Sequence, residues 1–193
     1  MPSQKSVEKW KSKKWFNIYT PKLLGDKIIG EMPALDEKAV IGRLIKVSLS
    51  WVTQNPSHSF MNVGLRVGSA EGNAAHTNID FLESNYSYLH SLVRRHSAAI
   101  YTFDSLADKN GKPFVMKLLV VTSSKVESPK KTGIRKTLSE FLKAKAASVS
   151  IEELLGEVME GKLQAECTSK IAKIARIGKL EVRKLELASA NVS

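Results

Sequence analysis

One cysteine, Cys167, is all the thiol chemistry in 193 residues. No intramolecular disulfide can form, so a disulfide-stapled secreted domain and any cysteine-based zinc finger are excluded. No apolar run approaches the ~18 residues that cross a bilayer as a helix. The N-terminus, MPSQKSVEKWKSKKWF, has lysines but no apolar stretch behind them. A secretory signal is therefore not expected, and the protein reads as soluble and cytoplasmic. Neither a GxxxxGK(S/T) nor a GxGxxG loop is present, and His58, His76, His90 and His96 fall in no metal-ligand spacing. Each reads as an ordinary surface or core histidine. Cys167 falls on the apolar stripe of a predicted helix, where a buried, inert thiol is expected. Asp104 and Asp108 flank a turn and read as turn residues. The sequence calls for no catalytic group, cofactor, metal or small-molecule substrate.

Negative charge is the other shortage. Nineteen acidic residues face 30 Lys and Arg, a net charge of +11. Such an excess points to a polyanionic partner. It is also uneven: residues 1–46 carry +5, residues 47–127 +1 and residues 128–193 +5. The middle is nearly neutral and both ends are basic.

Residues 1–20 read as a basic, aromatic-containing arm ahead of a single domain over 21–193. Six lysines stand against Glu8 in the first 22 residues, with Trp10, Trp15, Phe16 and Tyr19 between them. Lysines neutralise phosphates and release counterions, and aromatic rings stack on bases. The same rings could instead anchor the arm on its own domain.

Pro21, Gly25, Gly30 and Pro33 mark residues 20–36 as loop with short extended pieces. Residues 45–51 alternate apolar and polar and predict a half-buried strand, with Gly42 and Arg43 at its entry. Residues 61–67 alternate again, SAEGN (69–73) is a turn, and 74–79 return as a strand. Tyr86, Leu89, Leu92 and Val93 predict a helix over about 85–96. Residues 98–103 and 114–122 flank the turn at Asp108–Gly111, and the second run is apolar on both faces. Ile134, Leu138, Phe141 and Leu142 line a helix to about 147, with Arg135, Lys136 and Lys143 on its other side. Ser150-Ile-Glu-Glu153 is a capping-box sequence opening a helix that Gly161 ends. Leu163, Cys167, Ile171 and Ile174 make a further helical stripe closed by Gly178, and Glu166 and Lys170 are spaced as an i,i+4 pair. Residues 179–187 predict a last strand whose apolar phase slips between Val182 and Leu185, as a bulge would cause. Strands, one helix, strands, three helices and a strand give an α+β fold on an antiparallel sheet or barrel.

Two further basic groups stand out. Arg94 and Arg95 fall at a helix end, where they can complement the helix dipole or clamp phosphates. Lys130, Lys131, Arg135 and Lys136 crowd a helix start. Cations there oppose the dipole, so a phosphate backbone supplies the better reason for them.

KWKSKKWF (9–16), IGEMPA (29–34), VIGR (40–43), SLVRRHS (91–97), GIRK (133–136), ELLGEVMEGKLQAE (153–166) and LEVRK (180–184), in this order, resemble the small-subunit ribosomal protein S3Ae family of archaea and eukaryotes. The resemblance covers nearly the whole chain. It implies an antiparallel β-barrel core with peripheral helices and a non-enzymatic place on the platform of the small ribosomal subunit. The implied partners are small-subunit ribosomal RNA and neighbouring ribosomal proteins, with messenger RNA nearby at its exit. No membrane is involved. Arg43 at the strand entry is read as RNA-binding, and carried over by position the RNA-binding residues of the arm are Lys5, Lys9, Trp10, Lys11, Lys13, Lys14 and Trp15. Arg94 and Arg95 follow, then Lys130, Lys131, Arg135 and Lys136 at the helix start. Relatives carry a denser basic run after the buried strand, whereas TSSKVESPKK (122–131) is diluted by serines and Glu127. Eukaryotic members have a long C-terminal extension, and this sequence ends soon after its last strand, as an archaeal member would.

Three other readings are open to a chain of this composition. A free-standing RNA chaperone or regulator would bind many RNAs and hold no place in the subunit. An RNA-modifying enzyme would need a cofactor loop or catalytic cluster, and the sequence has neither. A peripheral membrane protein would need an amphipathic N-terminal helix, and the aromatics at 10, 15, 16 and 19 are not spaced as one.

Overall fold

A computed structural model describes residue 10 and residues 12–187. The expected RNA contacts Lys5, Lys9 and Lys11 lie outside the described residues. The chain divides into two compact units. One holds the described residues up to Ser59 together with Val63–Asp80, and the other holds Phe60–Asn62 and the residues from Phe81 onward.

In the first unit, β1 (Lys14–Tyr19) pairs antiparallel with β2 (Ile28–Ala34). Phe16 and Ile18 of β1 point inward, and Phe16 packs with Ala34, Val40, Val67 and Ala75. Thr20 closes the hairpin: its N–H donates to the Lys27 carbonyl at 2.9 Å and its Oγ1 accepts from the Lys27 N–H at 2.8 Å. Residues 20–36, expected as loop with short extended pieces, hold a seven-residue strand. β3 (Leu44–Ser48) pairs with β4 (Met61–Glu71), which pairs with β5 (Ala74–Ser84). The strand expected over 45–51 stops at Ser48 and turns into α1 (Leu49–Thr53). Leu49 and Val52, three apart, are both buried there, while Trp51 is 60% exposed. A helical turn buries Leu49 with Val52, where continued alternation would have buried Leu49 with Trp51. β1 also runs parallel to β5, with Asn17 opposite Ala74 and Tyr19 opposite His76. The sheet is therefore mixed, not purely antiparallel.

In the second unit the order is the end of β5, then β8 (Ile177–Leu187), β7 (Pro113–Thr122) and β6 (Ala99–Ala107), all antiparallel. β7 is central and buried on both faces, as its apolar run predicts. Leu119 and Val121 lie under α2 (Tyr86–Leu92) through Leu89. The alternate residues Phe114, Met116, Leu118 and Val120 are buried on the opposite face, the side left to the helices after β7. These are α3 (Ser128–Ser148), α4 (Ile151–Glu160) and α5 (Lys162–Ile171). α3 packs on β6, and α5 on β8.

Local chemistry fixes these elements. Asp108 accepts the N–H groups of Asn110 and Lys112 at 2.9 and 2.8 Å, which makes the β6–β7 turn, and a third from Ile151 at 3.4 Å. Burial pushes its carboxyl up, but these donors and the Lys112 ammonium outweigh that and hold it below its ordinary value. The capping box at Ser150 and Glu153 forms as expected, and Gly161 ends α4 with φ of 79°. The register of β7 on β8 slips between Lys117 and Leu118, leaving Arg183 as the extra residue. That is the bulge predicted from the apolar phase. The buried Ser84 hydroxyl donates to the Val182 carbonyl beside it at 2.7 Å.

The three helices are tied by Lys145 of α3, whose ammonium sits between Glu157 of α4 and Glu166 of α5. Burial acts to lower its pKa, but the two carboxylates prevail and raise it. Glu166 is thus paired to Lys145, where spacing alone suggested Lys170. Cys167 is buried on α5, and burial pushes its thiol up to about 12, which leaves it inert.

The barrel is corrected. Among the described residues β2 pairs only with β1, and β6 only with β7, so the strand order is open. The free side of β6 is met by a helix: Arg135 Nε of α3 donates to the Tyr101 carbonyl at 3.2 Å.

Candidate nucleic-acid interface

In the second unit, antiparallel pairing forces the start of β6, the end of β7 and the start of β8 to one end of the sheet. The Thr122 N–H donates to the Ala98 carbonyl and the Ser123 N–H to the Arg176 carbonyl, both at 3.0 Å. The segments leading into and out of these strands therefore converge: residues 93–98, 123–127 and 172–176.

Each brings cations. α2 ends at Leu92, earlier than the expected 96, and Val93 takes an extended conformation. A tight turn follows. The Arg94 N–H donates to Ser97 Oγ at 3.1 Å, and that hydroxyl donates to the Arg94 carbonyl at 2.6 Å. His96 completes the turn with φ of 67°. Arg94 and Arg95 are exposed on this fixed turn, not frayed from a helix end. Lys125 follows β7, and Lys173 and Arg176 precede β8, all exposed. Among the described residues none of these five side chains forms an ion pair.

Helix α3 starts within the same cluster. Pro129 occupies its first turn, no acid does, and Lys130 and Lys131 stand where the dipole disfavours them. A Cβ on Gly133 would lie 3.9 Å from Ile174 Cγ2, so the second turn of α3 rests on the segment before β8. Lys130 and Lys136 are exposed and Lys131 is half-buried. Arg135 is exposed but spends one N–H on the β6 edge. The structure thus brings together Arg94, Arg95, Lys130, Lys131 and Lys136. It adds Lys125, Lys173 and Arg176, which motif reading passes over. A predicted antiparallel pairing of the last two strands would have found the latter two, because it places the entry to β8 beside the exit of β7.

The first unit holds the other predicted residues that are described. Trp10 is exposed, with the Lys13 ammonium 4.1 Å from its ring centroid. Lys14 is exposed at the start of β1. Trp15 is 55% exposed and lies opposite Pro33 of β2, whose carbonyl accepts from Arg43 Nη1 at 3.4 Å. Trp15 and Arg43 are therefore brought to the same residue. Phe16 is core, and Tyr19 stacks on His76 with centroids 5.3 Å apart. Of the four interleaved aromatics, only Trp10 and Trp15 stand open.

The second unit thus presents a set of mostly exposed cations, and the first presents cations together with two exposed rings. Among the described residues there is no cluster of His, Cys, Asp and Glu able to hold a metal, and no helix is long and apolar enough to cross a membrane. A profile of the Ribosomal S3Ae family matches residues 2–191. The chain belongs to this family. Small ribosomal subunit protein eS1 of Pyrobaculum calidifontis is 33% identical over 178 residues, covering 92% of this chain and 80% of that protein. Small ribosomal subunit protein eS1 of Saccharolobus islandicus is 32% identical over 180 residues, covering 93% and 86%. Both organisms are archaea, the source that the sequence resemblance implies. This S3Ae chain therefore carries its uncompensated positive charge on a scaffold shared with proteins named for the small subunit.

Proposed function

We propose that this protein is a non-enzymatic structural constituent of the cytoplasmic small ribosomal subunit, binding ribosomal RNA with the basic end of its second unit. Membership of the S3Ae family and the names of its relatives support the subunit assignment. The observation that carries the RNA assignment is the convergence of Arg94, Arg95, Lys125, Lys173 and Arg176, without ion pairs among the described residues, at one end of the sheet. Backbone neutralisation and shape, not base sequence, dominate this contact. Lys130, Lys131 and Lys136 extend it along α3, and Arg135 orients that helix. Lys5, Lys9, Trp10, Lys11, Lys13, Lys14 and Trp15, with Arg43, form a second RNA contact. The protein sits on the platform beside neighbouring ribosomal proteins and the messenger RNA exit, and supports subunit assembly and translation.

A salt titration tests the RNA contact. Affinity for isolated small-subunit ribosomal RNA is expected to fall by roughly 10³ between 50 and 200 mM salt if about six phosphates are held. An affinity insensitive to salt would remove electrostatic neutralisation as the mechanism.

A further inference from the structure

We propose that the exposed face of α2 receives an unpaired RNA nucleotide, its base against the Tyr86 ring and its neighbouring phosphates against Arg94 and Arg95. This rests on the RNA reading above and narrows it, because it assigns to this site a single-stranded element and not a duplex.

Tyr86 is 66% exposed, and no partner of its hydroxyl is seen among the described residues. Its ring is propped by His90, one helical turn on, with centroids 4.1 Å apart and the planes tilted by 55°. Tyr88 of the same helix is the opposite case. Its hydroxyl donates to Glu181 at 2.9 Å and its ring stacks on Phe60 at 4.3 Å. Tyr88 and the buried Leu89 fix α2 to the sheet, so the Tyr86 ring is presented by a rigid element. Asn85 caps the helix by accepting the Ser87 N–H at 3.2 Å.

The electrostatics point one way. No acidic residue occurs between Glu83 and Asp104, while His90, Arg94, Arg95 and His96 are all exposed in that interval. The acids at this helix, Glu83 and Glu181, are paired with Lys184 and Lys179, so an exposed ring on the helix that leads into Arg94 and Arg95 fits a base with its phosphates. A duplex cannot use it, because paired bases stay stacked inside the helix and only unpaired nucleotides in loops, bulges and overhanging ends can splay out onto a ring.

The test compares the purified full-length protein binding a short oligouridylate and a blunt RNA duplex of equal length. Tyr86→Ala is expected to weaken oligouridylate binding by on the order of 10-fold and change duplex binding by less than about twofold. Tyr86→Phe keeps the ring and is expected to keep the affinity. Equal weakening of both RNAs, or no change in either, would overturn the nucleotide site while leaving the basic end intact. Normal RNA binding by Tyr86→Ala with loss of the protein from small subunits would make this face a protein contact, again overturning the proposal. If the unaltered protein bound neither RNA, the RNA reading itself would fall.

Discussion

Replacing Arg94, Arg95 and Arg176 together by alanine is expected to lower affinity for small-subunit ribosomal RNA by on the order of 100-fold at physiological salt. All three side chains are exposed, without an ion pair among the described residues, and held at one end of the sheet by β6–β7 and β7–β8 pairing. None supports the core, so the fold should persist and the loss should be one of binding. The slope of log K against log salt should flatten by about 0.9 for each phosphate contact removed. Lys109→Ala is the matched control. Lys109 is also an exposed cation, but it lies in the turn at the other end of the β6–β7 hairpin. The triple variant should lose both affinity and slope, while Lys109→Ala keeps both. An unchanged slope in the triple variant would mean that the RNA is held elsewhere.

Leu138→Ala is expected to destabilise the second unit by about 3 kcal/mol. Leu138 is fully buried on α3, between Ile134 and Leu142 of the same stripe. Removing it leaves a cavity under the helix whose first turns present Lys130, Lys131 and Lys136. Lys136→Ala, on the exposed face two residues earlier, should cost no more than about 0.5 kcal/mol. Urea unfolding followed by far-ultraviolet circular dichroism separates the two. α2–α5 all belong to the second unit, so this signal reports on it. Trp10, Trp15 and Trp51 belong to the first, so tryptophan fluorescence should hardly respond. Comparable losses in the two variants would contradict the packing of α3 through this stripe.

What could be read in advance was local. The double-faced apolar run of β7, the capping box at Ser150, the turn at Asp108 and the slipped phase at Val182–Leu185 each follow from the interactions of neighbouring residues. Each appears where the pattern puts it. The errors arose where a distant partner decides. Alternation over 45–51 fits a strand equally well, until burial of Leu49 and Val52 together favours a helical turn. The parallel pairing of β1 with β5 joins residues far apart in the chain and leaves no local trace. Closure into a barrel depends on pairing between end strands far apart in the chain, and among the described residues β2 and β6 do not pair. The candidate interface divides in the same way. Arg94, Arg95 and the α3 lysines are visible as clusters in sequence. Lys125, Lys173 and Arg176 are scattered and become a group only through strand pairing.

The central claim is a fixed place in the small subunit. Sucrose-gradient sedimentation of lysate containing a tagged copy, at low and high magnesium, tests it most directly. The account predicts stoichiometric migration with the small subunit in both conditions. Migration only at the top of the gradient would contradict it and leave a free-standing RNA-binding protein in its place.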